Sequence, residues 1–134
     1  MAKVWIVDDD EEMVHAIELM LQLIDCETDY YLDARPAAQA LLSGKHPDLI
    51  LLDINMPDVS GLDLLEFMRR RKELRSLPVV MLSSEAADVT VDEAMALGAD
   101  AYIMKPVTLE ELEQAMKTAR KKHMNVRFFD EREK

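Results

Sequence analysis

Short apolar runs alternate with segments of helical periodicity along the whole chain. Val4–Val7, Thr28–Leu32, Leu49–Leu52, Val79–Leu82 and Ala101–Met104 are brief and mostly apolar, several of them β-branched or aromatic, and they predict five strands. Between them, Met13, Ile17, Met20, Leu21 and Ile24 recur at the spacing of one helix face. Leu62, Leu65 and Met68 do the same, as do Leu112, Ala115, Met116 and Ala119. Helix ends are marked as well. Pro36 opens the second helix where a missing N–H does no harm. Ser60-Gly61-Leu62-Asp63 and Thr108-Leu109-Glu110-Glu111 fit capping boxes, and Gly98 and Gly44 stand where left-handed residues close the fourth and second helices.

Five strand–helix units predict an α/β fold, a doubly wound (βα)5 with a five-stranded parallel sheet and right-handed crossovers. The third strand is apolar at every position, as a central strand covered on both faces must be. Repeats, low-complexity tracts and interdomain linkers are absent from the sequence. Residues 124–134 depart from the pattern, which divides the chain into one domain, 1–123, and a C-terminal tail, 124–134.

The 134 residues, 49% of them hydrophobic, suit a single domain with a substantial core. One cysteine, Cys26, excludes an internal disulfide and a multi-cysteine zinc site, and fits a reduced, cytoplasmic setting. The apolar runs are far too short to span a membrane, and the N-terminus has no signal-peptide core. The net charge of −11 is unevenly spread: residues 1–116 carry 24 acids against 9 bases, residues 117–134 carry 3 against 7. Such an acidic domain is not expected to bind nucleic acid, whose phosphates need clustered Lys and Arg. The basic runs Arg69–Lys72 and Arg120–Lys122 read as solvated helix C-termini, where cations offset the helix dipole.

In open α/β sheets, ligands collect beyond the carboxyl ends of the strands. There the sequence places Asp8, Asp9 and Asp10 after the first strand, Asp53 after the third, Ser83 and Ser84 after the fourth, and Lys105-Pro106 after the fifth. If the first and third strands are neighbours, Asp8, Asp9 and Asp53 converge. Three carboxylates repel unless a cation lies among them, and hard oxygen ligands suit Mg²⁺. A lysine and a hydroxyl opposite them would supply what a phosphoryl group needs, a point charge and a donor. Each residue also has a plainer reading. Asp8–Asp10 could cap the first helix, Asp53 could cap the turn before Pro57, Ser83 could cap the fourth helix and Lys105 could be a surface lysine. The coincidence of all four at strand ends favours a site.

Val7-Asp8-Asp9, Asp53-Ile54-Asn55-Met56-Pro57-Asp58-Val59-Ser60-Gly61, Ser83-Ser84-Glu85-Ala86 and Lys105-Pro106 resemble, in order, the signature of response-regulator receiver domains of two-component signalling, chemotaxis regulators included. The likeness spans residues 3 to 123. It implies a flavodoxin-like sheet of order 2-1-3-4-5, for which a chemotaxis regulator of this family is a standing example. It further implies that Asp53 is the phospho-acceptor and that Asp8, Asp9, Asp53 and the backbone carbonyl of Asn55 hold Mg²⁺. Ser83 and Lys105 would bind phosphoryl oxygens, Ser84 would be the small neighbour of the phosphoryl group, and the bond to Pro106 would be cis. Ser83 and Tyr102 would form the switch.

A carboxylate is a competent nucleophile for phosphoryl transfer, and the remaining catalysis is positioning and electrostatics. The expected partners are a histidine kinase or histidine phosphotransfer protein, and a downstream protein meeting the fourth helix, fifth strand and fifth helix. Val107 stands where the family usually has Phe. Ala101 and Ala115 stand where a subfamily that dimerises through ionic contacts has Asp and Arg, so a monomer or a weak phosphorylation-linked dimer is expected. A glycine-rich phosphate loop is missing, with three glycines in all. Two other readings are a Mg²⁺-dependent phosphohydrolase using Asp53 and a phosphorylation-independent scaffold. Asn55 in place of a second acid, and the small size of the chain, argue against the first.

Overall fold

The computed structural model describes residues 1–84 and 88–133, with side chains given for 1–84 and 91–123. Its elements are β1 (Ala2–Val7), α1 (Glu11–Leu23), β2 (Cys26–Tyr31), α2 (Ala34–Leu42), β3 (Leu49–Asp53), α3 (Gly61–Arg69), β4 (Val79–Ser83), α4 (Asp88–Ala96), β5 (Ala101–Met104) and α5 (Leu109–Glu133). The strands form one sheet of order β2-β1-β3-β4-β5, every neighbouring pair parallel. The doubly wound fold and its strand order therefore stand as expected.

Side-chain alternation along the strands builds a core on each face. Val4, Ile6, Leu49, Leu51, Val80 and Leu82 pack with Val14, Ile17 and Leu21 of α1 and with Leu112, Met116 and Ala119 of α5. Trp5, Val7, Ile50, Leu52, Val79 and Met81 pack with α2, α3 and Ala94 of α4 on the other face. All five residues of β3, and all five of β4, are buried. Val107, smaller than the usual Phe, is buried among the α5 contacts. No helix among the described residues is long and apolar enough to cross a membrane.

Boundaries differ from the sequence pattern where pairing overrides hydrophobicity. β2 runs Cys26–Tyr31, not Thr28–Leu32, because its register with β1 begins at Ala2 opposite Cys26. It is an edge strand with only Cys26 buried, so its apolar signal is faint. Helix α2 starts at Ala34 under an Asp33 cap that accepts from the Arg35 amide, which leaves Pro36 third in the helix. That position still lies in the first turn, whose N–H groups have no intrahelical acceptor. Ser60 and Asp63 make the full reciprocal capping box of α3. Gly44 and Gly98 have φ of +97° and +108°, the left-handed closure expected of them. Helix α5 continues unbroken past residue 123 to Glu133, whereas the side chains of the expected tail, 124–134, lie outside the described residues, as do Glu85 and Ala86.

Candidate functional site

The carboxyl ends of β1, β3, β4 and β5 lie side by side, and their residues meet there. Asp8 follows β1 and is fully buried, and Asp53 ends β3 with 2% exposure. Asp9 is exposed at the rim. One carboxylate oxygen from each of these three lies within 4.8 Å of the others. Asp10, not Asp8 or Asp9, caps α1, accepting from the Met13 amide. The capping reading therefore accounts for one acid of the three. Asp8 is turned inward by a 2.9 Å hydrogen bond from the Asp10 amide to its Oδ1.

Lys105 follows β5 and reaches across to the acids, its Nζ 2.9 Å from Asp8 Oδ2 and 3.3 Å from Asp53 Oδ1. The contact with Asp8 is an ion pair not aligned as a hydrogen bond, and Asp8 Oδ2 is buried without a hydrogen-bond donor. A buried carboxylate oxygen with unused lone pairs, beside two further carboxylates, fits a hard divalent cation. The Asn55 amide donates to Asp53 Oδ1 at 3.3 Å. Burial first, and then the charge of Asp8, push the Asp53 carboxyl up to about 7, against the pull of Lys105 and the Asn55 amide. At Lys105, burial works to lower the ammonium, but Asp8 and Asp53 outweigh it and the net direction is up.

Ser83 is buried at the end of β4, and the Lys105 amide donates to its carbonyl at 2.7 Å. Ser84, next along, is exposed. The Lys105–Pro106 peptide is cis. Tyr102 lies on β5 opposite Met81, and Ser83 lies opposite Met104. That register puts Tyr102 and Ser83 on the same sheet face, the one α4 covers, with Tyr102 47% exposed.

Two features escaped the sequence reading. At Gly61 a Cβ would sit 1.9 Å from the carbonyl oxygen of Asp53, so only glycine allows α3 to start this close behind β3. Arg69, assigned above to a solvated basic run, is instead mostly buried against Asp100, with its NH2 3.2 Å from Oδ2. Burial lowers its guanidinium, with Asp100 countering. A charge run on a helix carries no mark of which member turns inward; the signal that was available is the acid at position 100, alone before the fifth strand.

Comparison with known proteins converges on one family. The model of the response regulator receiver domain matches residues 4–117. The transcriptional regulatory protein BasR of Escherichia coli is 36% identical over 125 residues, 92% of this chain and 54% of that protein. Chemotaxis protein CheY-3 of Vibrio cholerae is 32% identical over 114 residues, 85% of this chain and 88% of that one. The structure of Vibrio cholerae CheY4 superposes with a TM-score of 0.80 at 29% identity, covering 89% of this chain and 98% of that one. The chain spans about half the length of the first regulators it matches.

Proposed function

We propose, since the chain belongs to the response regulator receiver domain family, that Asp53 accepts a phosphoryl group from the phosphohistidine of a histidine kinase or histidine phosphotransfer protein. The observation that carries this reading is the packing of Asp8, Asp9 and Asp53 within 4.8 Å, with Lys105 at 2.9 and 3.3 Å from two of them. A carboxylate oxygen of Asp53 attacks phosphorus, the P–N bond breaks with its electron pair going to the ring nitrogen, and the imidazole leaves neutral, its proton already on the other ring nitrogen. Hydrolysis later returns the carboxylate and inorganic phosphate. Asp8, Asp9, Asp53 and the Asn55 carbonyl would hold Mg²⁺, which supplies charge neutralisation of the transferring group. Lys105 and the Ser83 hydroxyl take phosphoryl oxygens, and the small Ser84 leaves room beside them.

The output surface in this reading is α4-β5-α5. Ser83 moves toward the phosphoryl group, and the Tyr102 ring, on the same sheet face, fills the space released. A ligand shifts such an equilibrium only through differential contacts with the two states, which Ser83 provides. The protein is thus read as a cytoplasmic signalling module, with a protein partner downstream and no nucleic-acid contact by this domain. A phosphohydrolase and a phosphorylation-independent scaffold gain no support from the family match.

Incubation with acetyl phosphate, followed by intact-mass measurement, tests the reading. A gain of one phosphoryl group is expected with Mg²⁺, and none without it or in Asp53→Asn. Equal labelling of Asp53→Asn would overturn the assignment.

A further inference from the structure

The basic runs Arg69–Lys72 and Arg120–Lys122 meet at Asp100, at the end of the sheet opposite the acidic site. Asp100 Oδ2 accepts from Arg69 NH2 at 3.2 Å and from the Val79 amide at 2.9 Å. That oxygen acts as an acceptor, so the His123 ring of α5, with Nε2 2.9 Å away, donates there and keeps Nδ1 for another partner. Lys122 donates to the Asp100 carbonyl at 2.8 Å, and Arg69 NH1 donates to the Leu77 carbonyl at 2.9 Å.

Beside this cluster a cavity of about 660 Å³ opens between the amino ends of β1, β3 and β4 and helix α5. Pro47, Leu77 and Pro78 give it an apolar lining, and the two prolines are buried, rigid rings. The loop carrying Pro47 is pinned to β1. The Asp48 amide donates to the Lys3 carbonyl at 2.8 Å, and the Lys3 amide donates to Asp48 Oδ2 at 2.7 Å. These walls are set before any ligand arrives. Arg120, His46 and Glu73 line the same cavity and are exposed, and their side chains have no hydrogen bond or ion pair among the described residues. Arg120 and Glu73 therefore carry opposite charges at one cavity without pairing across it.

We propose that this cavity binds a short peptide with both ends free, its carboxylate held by Arg120 with His46 and His123, its ammonium by Glu73 and Asp48 Oδ1. A guanidinium fork matches a carboxylate, and an ammonium brings three donors that need acceptors. A purely anionic ligand would meet two acids here, and a purely cationic one would meet a guanidinium; like charges repel. A ligand carrying both charges satisfies both walls and lays its side chains on Pro47, Leu77 and Pro78. A space of that volume is about 9 Å on a side, the reach of about two or three extended residues. The site shares no residue with the acidic one, so the proposal stands whether or not Asp53 accepts a phosphoryl group.

The test is amide NMR titration of the full chain with the tripeptide Ala-Leu-Ala, with its N-acetylated and C-amidated forms, and with inorganic phosphate. The free tripeptide is expected to shift the amides of Asp48, Leu77 and Arg120 to saturation and to leave those of Asp9, Asn55 and Lys105 in place. Each blocking group should weaken binding by about tenfold, the effect of losing one charge-assisted contact. Arg120→Gln should bind the free tripeptide about tenfold more weakly and lose its sensitivity to amidation, while Glu73→Gln should do the same for acetylation. Absence of saturable shifts at millimolar tripeptide, or equal binding of the free and blocked forms, would overturn the proposal. Phosphate moving the same amides as strongly would make the cavity an anion site and overturn the peptide assignment. Shifts at Asp9 and Asn55 in place of those at Asp48 and Arg120 would put the peptide at the acidic end and overturn it as well.

Discussion

Burial and a neighbouring acid work against the ionised form of Asp53. Its carboxyl is pushed up to about 7 by burial and by Asp8. For an acid whose folded-state value exceeds its unfolded one, the folded state binds the extra proton between the two. This group therefore costs stability progressively as pH rises from about 4 to about 7. In the metal-free protein, thermal melting across that window should show a larger loss of stability with rising pH in the native sequence than in Asp53→Asn, and Mg²⁺ should flatten the difference. An equal slope in both would mean that Asp53 is not the strained group. Gly61 makes a steric demand beside it. A methyl group there meets the Asp53 carbonyl at 1.9 Å, contact that backbone must move to relieve. Gly61→Ala should lose about 1–3 kcal/mol of stability in denaturant melts and lose phosphorylation with it.

At the scale of elements, the chain announced most of its structure. Capping chemistry was legible because it is local: Ser60 and Asp63 sit three apart and do face each other in α3. Ser60→Ala should cost about 1 kcal/mol, read from a denaturant midpoint, while Asp53 still labels, since the cap shapes the helix start rather than the acids. Strand β3 was legible because burial on both faces leaves Leu49–Leu52 without a polar position. Strand β2 was less so, since an edge strand with a single buried residue is defined by its partner's register and not by its own hydrophobicity. The Asp33 cap of α2 escaped notice for a related reason, as Pro36 was the louder signal.

Over the whole molecule, the acidic site was readable because every member ends or follows a strand, and a parallel sheet brings strand ends together whatever the intervening helices contain. Asp8, Asp53 and Lys105 are distant in sequence and in contact in space for that topological reason. The Arg69–Asp100 cluster obeys no such rule. It joins α3, the start of β4 and α5 through a polar residue that periodicity assigns to a loop and a cation that a charge run assigns to solvent. The same sheet thus has a mobile chemistry proposed at one end and a polar fastening at the other. The central claim, that Asp53 carries the phosphoryl group, is tested most directly by trapping it. After treatment with acetyl phosphate and Mg²⁺, borohydride reduces an aspartyl phosphate to homoserine, and peptide mapping by tandem mass spectrometry locates the converted residue. The account predicts homoserine at position 53 and at no other acid; conversion at Asp8 or Asp9, or at no position in a protein whose mass shows the phosphoryl group, would contradict it.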